Sequence, residues 1–203
     1  MVEPGSARRR SPLVADYAAG DYGALGPEGP AIVFSERPGL STVQVESDAR
    51  SAAEVARRLQ AALGLAPPEA FNTSLGDQDL RLIWVGSWRW YVVEPERRNL
   101  EAELTRQLAG TGAAVVDLSH SRSAVRMAGH EARYVLAKGS GVNVHPRRLH
   151  AGCAVQTALF HVDVLIDCVD DRPIFDLYMA RGFALALWQS LRHAAAEYGY
   201  RVA

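Results

Sequence analysis

Cysteine is scarce in this chain: 203 residues hold only Cys153 and Cys168. The two are too far apart for a CxxC pair and too few for a disulfide framework, so the fold is expected to rest on its core in a reducing, cytoplasmic setting. An excess of either charge is also missing. Lys and Arg total 22 against 23 Asp and Glu, a net charge of −1, which argues against a surface that tracks a phosphate backbone and against nucleic acid as a partner. No run approaches the ~20 apolar residues of a spanning helix, and the opening MVEPGSARRRSPL has arginines without the apolar stretch of an export signal. A soluble protein with no membrane partner is expected.

Several chemical fingerprints are absent too. No strand-GxGxxG-helix unit occurs, so no dinucleotide or flavin cradle is expected on this chain. His120, His130, His145, His150, His161 and His193 never pair at i, i+4, and HExxH is missing, so no metal site is expected. Asp117 and His120 lie near serines, but no GxSxG elbow accompanies them and a hydrolase triad is not supported. Lys138-Gly139-Ser140-Gly141 follows a helix pattern instead of preceding one. It therefore reads as a C-terminal turn in which Lys138 complements the helix dipole, not as a phosphate loop. No catalytic, cofactor-binding or metal residue is assigned.

What the chain does have is 48% hydrophobic residues in periodic runs. Residues 1–30 read as a partly disordered arm and linker: Arg8-Arg9-Arg10 is taken as a solvated tail, and residues 18–30 are rich in Gly and Pro without period. Strands are expected at residues 32–34 and 41–46, then a helix with Ser51-Ala52-Ala53-Glu54 in capping-box spacing and Gly64 at its end. Residues 80–85 and 88–93 read as a hairpin around Gly86-Ser87. Pro95 then suits the first turn of a helix carrying Leu100, Leu104 and Leu108, and residues 113–118 form a strand. The order is β-α-β-β-α-β, the ferredoxin-like pattern, and assigns residues 31–118 to a first α+β lobe. Residues 119–203 form a second lobe: a strand at 122–128, a helix at 130–138, strands at 153–160, 162–168 and 174–179, and a long terminal helix from Phe183 to Gly199.

Two clusters stand out. At the corner joining the lobes, Asp117, Ser119 and Ser121 are suited to binding turn N–H groups, and Arg122 can bridge the lobes through its five donors; a ligand contact is the rival reading. Trp84, Trp88 and Trp90 crowd the hairpin, with Trp88 and Trp90 expected on one face, either as core beneath the helices or as a docking patch.

The ordered set Arg10-Ser11-Pro12-Leu13, Asn72-Thr73, Leu82-Ile83-Trp84-Val85-Gly86, Val116-Asp117-Leu118-Ser119, Val135-Leu136-Ala137-Lys138-Gly139 and Gln156-Thr157, with Arg181-Gly182-Phe183 opening the last helix, resembles the gamma subunit of heterotetrameric sarcosine oxidase. The resemblance covers most of the chain. It implies a two-lobe aminomethyltransferase-like fold and a non-catalytic subunit that packs beside the alpha subunit, in a complex with beta and delta. In that complex FAD, FMN, NAD and tetrahydrofolate belong to the partners, and the reaction is oxidative demethylation of sarcosine to glycine. Two alternatives stand beside it: a subunit of a related complex such as N-methylglutamate dehydrogenase, and a stand-alone folate-binding aminomethyltransferase-like protein. The latter's KGC-Tyr-x-Gly-Gln signature is replaced here by Lys138-Gly139-Ser140-Gly141-Val142-Asn143.

Overall fold

The structure is a computed structural model that describes residues 10–203. Arg8 and Arg9 of the basic run lie outside the described residues. Twelve strands among them form two sheets, ordered β1-β12-β2-β8-β11-β10-β9 and β4-β5-β6-β3-β7. The smaller sheet contains β3 (Leu40–Glu46), β4 (Ser74–Gly76), β5 (Arg81–Gly86), β6 (Arg89–Pro95) and β7 (Ala114–Asp117). The larger contains β1 (Gly20–Tyr22), β2 (Ile32–Glu36), β8 (Arg122–Ala128), β9 (Ala154–Leu159), β10 (Val162–Asp170), β11 (Ile174–Ala180) and β12 (Tyr200–Val202).

Strand alternation builds four layers. Val43, Val45, Leu82, Trp90 and Val92 face helices α1 (Ala52–Leu63) and α2 (Leu100–Gln107), whose Val55, Leu59, Leu100 and Leu104 complete one core. On the other side of the molecule Val125, Met127, Val164, Ile166, Phe175 and Leu177 pack beneath α3 (Ala132–Gly139) and α4 (Ala184–Ala195), where Trp188 and Leu191 are fully buried. The inner faces of the two sheets meet through Ile83, Val85, Tyr91 and Val93 against Ala124, Ala154, Leu165 and Tyr178. The result is a mixed α+β architecture, helices–sheet–sheet–helices.

Several elements depart from expectation. Strand β2 lies in the larger sheet, not in the first lobe, because its outward neighbours β8 and β12 offer it a fully hydrogen-bonded place. The segment from β3 to β7 is thus inserted between two adjacent strands of the larger sheet, and the chain crosses between lobes twice, at residues 37–39 and 118–121. Part of the expected loose arm is ordered: Leu13 is buried, Tyr17 stacks on Trp188 at 5.3 Å, and β1 pairs with β12. Ser51 makes no side-chain cap, since its hydroxyl donates to Asp48 Oδ1 instead, at 2.6 Å. Gly64 closes α1 in the left-handed conformation, φ 73°. Helix α2 starts after Pro95, with Asn99 accepting from the Ala102 N–H. Lys138 does not serve its own helix. Its Nζ donates to the Ala194 carbonyl and pairs with Glu197, at the negative end of α4.

Candidate functional site

The seam between the sheets holds the chain's most buried charges. Asp167 on β10 and Asp176 on β11 are direct cross-strand partners, and both side chains point inward. Arg81, at the start of β5, reaches across and grips Asp167 with two bonds, Nη2 to Oδ1 at 2.6 Å and Nε to Oδ2 at 3.0 Å. Ser74 of β4 donates to Oδ1 as well, at 2.5 Å. Asp176 accepts a matching fork from Arg126, at 2.7 and 2.8 Å, and a third bond from Arg37 at 2.6 Å. Burial raises the Asp167 carboxyl above the usual carboxylate range even though Arg81 and Ser74 pull it down. The Tyr178 hydroxyl, buried beside both aspartates, is likewise held well above its ordinary range, first by burial and then by their charge. Every carboxylate oxygen in this cluster accepts at least one bond from within the chain. Its chemistry is that of a clamp.

The corner residues sit beside this clamp. Asp117 Oδ1 accepts from the Ser119 N–H at 2.8 Å, and buried Ser119 Oγ accepts from the Thr42 N–H at 2.9 Å, which ties the crossing to β3. Arg122 is half-buried and touches the opposite sheet through one long contact, Nη2 to the Tyr91 hydroxyl at 3.4 Å. It separates two clefts along the seam, one of about 170 Å³ that also holds Arg10, Arg37 and Arg181, and one of about 500 Å³ with Gln156, Thr157 and Tyr178. Gln156 is partly spent already, donating to the Val85 carbonyl at 2.8 Å.

The tryptophans fall elsewhere. The hairpin turn is Ser87-Trp88, one residue later than expected, with Gly86 opposite Arg89 and an irregularity after Trp84. Trp88 therefore leaves the strand and stands in the turn at φ 54°, 44% exposed. Trp84 and Trp90 are direct partners across the hairpin, and so share a face. Trp90 is core, its indole N–H bound to the Pro68 carbonyl at 2.8 Å, whereas Trp84 is half-buried against exposed Phe71. Together they line an open cleft of about 490 Å³ against the start of α1.

Reading the sequence missed Arg81, Asp167 and Asp176 in the seam and Phe71 and Glu69 in the cleft. The one available signal was a lone carboxylate in each of two apolar strands, VLIDCV and IFDLYM, where a charge at an inward position needs a partner.

The comparisons agree on what this framework resembles. The profile of the "Sarcosine oxidase, gamma subunit family" matches residues 46–197, from the end of β3 to beyond α4. A sarcosine oxidase subunit gamma from Arthrobacter sp. is 32% identical over 159 residues, covering 78% of this chain and 76% of the relative. One from Corynebacterium sp. strain P-1 is 30% identical over 109 residues, 53% of this chain and 54% of that protein. Among solved structures, a chain of the heterotetrameric sarcosine oxidase from Corynebacterium sp. U-96 superposes with a TM-score of 0.82 at 25% identity, covering 94% of this chain and 96% of that one. The glycine cleavage system aminomethyltransferase T from Bartonella henselae superposes with a TM-score of 0.68 at 18% identity, covering 94% of this chain and 57% of that one, a likeness of fold alone. With a profile match running through both sheets and a relative aligned over most of each chain, this chain belongs to the sarcosine oxidase gamma subunit family.

Proposed function

We propose that the chain is the non-catalytic gamma subunit of a heterotetrameric sarcosine oxidase, in contact with the alpha subunit and assembled with beta and delta in the cytoplasm. The complex would demethylate sarcosine oxidatively to glycine, with the one-carbon unit passed to tetrahydrofolate or released as formaldehyde. FAD, FMN, NAD and tetrahydrofolate would be held by the partner subunits. The observation that carries this reading is the superposition of nearly the whole chain on one chain of a heterotetrameric sarcosine oxidase. The seam supports the non-catalytic part, because each oxygen of its buried carboxylates accepts from a guanidinium group of this chain. Asp117, Ser119 and Arg122 then act in holding the lobes together for assembly.

Co-expression with the three partner subunits of the source organism tests the proposal. The expected product is a yellow complex that contains this chain and oxidises sarcosine. Recovery of an active flavin complex without this chain, or of a complex that turns over another N-methyl amino acid but not sarcosine, overturns it.

A further inference from the structure

The cleft beside the hairpin turn is built unlike the rest of the surface. Its back wall is fixed, because Trp90 is buried and its N–H is spent on the Pro68 carbonyl. Its side walls are Trp84 and Phe71, whose rings meet edge to face at 66° with centroids 6.5 Å apart. The rim is Trp88. Trp88 takes the left-handed region that a tight hairpin turn demands, as Phe160 and His161 do between β9 and β10, and glycine or asparagine there would relieve the strain. The turn holds an indole at the mouth of the cleft, where burial gives no reason for it.

Charge distinguishes this cleft from a plain apolar groove. The face of an aromatic ring is the negative end of its quadrupole and attracts cations. Among the described residues, Arg or Lys groups lie over the rings of Phe175, Tyr198, Tyr22 and Trp188, and none lies over Phe71, Trp84, Trp88 or Trp90. Glu69, exposed on the same lining, has no ion pair or hydrogen bond among the described residues. The rings of Phe71, Trp84, Trp88 and Trp90 and the Glu69 side chain thus line one cleft, and no Arg or Lys of the described residues lies over any of those rings. An anion would be repelled, and a purely apolar partner would strip water from Glu69 with nothing in return. A primary ammonium carries a tight hydration shell that is costly to remove, whereas N-methyl groups spread the charge over an apolar surface that rings can enclose.

We infer that this cleft is a binding site for a small organic cation bearing N-methyl groups, enclosed by Trp84, Trp88 and Phe71 against Trp90 and neutralised by Glu69. Its volume, about 490 Å³, lies in the range of small-molecule sites. The site uses only residues of this chain and does not depend on the assembly proposed above.

Tryptophan fluorescence of the full chain, titrated with tetramethylammonium chloride at constant ionic strength, tests it. Neutral neopentyl alcohol, of the same shape, is the control. The expected result is saturable binding of the cation, weaker binding of the alcohol, and a loss of affinity of roughly 2- to 30-fold in Glu69→Gln and in Trp88→Ala, the span of cation–π strengths. Phe71→Ala, at a position 73% exposed and so outside the core, repeats the test if Trp88→Ala folds poorly. Absence of saturation, equal binding of the alcohol, or unchanged affinity in Glu69→Gln and Phe71→Ala overturns the inference.

Discussion

The β5–β6 hairpin serves two regions of opposite character from its two faces. On the seam side Arg81, Ile83 and Tyr91 meet the larger sheet, and the polar groups there are saturated: Asp167 has Arg81 and Ser74, Asp176 has Arg126 and Arg37. On the helix side Trp84 and Trp90 line a cleft whose rings carry no Arg or Lys and whose Glu69 has no ion pair or hydrogen bond among the described residues. The difference separates two uses of costly residues. A charge in a low-dielectric interior persists only with its counter-charge in place, so the seam's charges fix how the sheets dock. Aromatic surface left in water gains little for the fold, and the binding site proposed above would give it a use.

The sharpest way to break this comparison is to leave a seam charge alone. Arg81→Ala strands the buried Asp167 carboxylate and should lower stability by about 3–5 kcal/mol, read as a shift in the urea midpoint, while replacing Arg81 and Asp167 together by Met and Leu should recover most of the loss. A double variant no better than the single would show that the pair is more than a docking clamp. Relief of the strained indole comes next. Trp88→Gly should raise thermal stability by about 1 kcal/mol as left-handed strain is removed, and a destabilised variant would mean that the indole packs as core. Arg122→Ala should cost less than about 1 kcal/mol, since among the described residues the guanidinium makes one long contact, to Tyr91. If stability is unchanged and recovery of the assembled complex falls sharply, Arg122 contacts a partner or ligand instead of bracing the seam.

The smallest effect belongs to a pair with neither full burial nor open chemistry. Hydrogen bonds from the exposed Arg172 hold the half-buried Asp170 carboxyl down at about 2, against an ordinary 3.8. A depressed folded-state value stabilises above about 3.8 and loses that contribution as pH falls toward 2. Acid titrations of Arg172→Ala and the parent should therefore run almost together at neutral pH, because water screens the pair, and merge completely at the acid end. A gap comparable with that of Arg81→Ala would overturn the distinction between exposed and buried pairs.

Much of this was legible in the sequence, and the reasons differ by element. The apolar stripe of α4 and the Gly64 stop of α1 are local signals, and they fall where the pattern puts them. The hairpin was read one residue early, since Gly86 is the usual turn residue and nothing local announces a tryptophan at positive φ. Strands β1, β4 and β12 have three residues each, too few to show a period. Strand β2 was visible as a strand, but alternation names no partner, and its sheet is decided by contacts with β8 and β12 far along the chain. The same limit hid the clamp: Asp167 is conspicuous in its strand, yet only the docked sheets bring Arg81 to it. Glu69 and Phe71 lie in a loop after Pro67-Pro68, where periodicity carries no information.

The insertion of the smaller sheet between β2 and β8 has a consequence for the order in which the protein can be made. Residues 40–117 contain every strand of that sheet and both of its helices, so this body can close as soon as it leaves the ribosome. The larger sheet cannot. Strand β12 fills the slot between β1 and β2, and its Arg201 pairs with Asp21 across 180 residues of chain. Until translation reaches Val202, the nascent protein is a finished small lobe carried on an unclosed sheet, with the edges of β1 and β2 bare and open to mispairing. The topology thus makes the capture of three residues the last pairing this sheet can complete during synthesis.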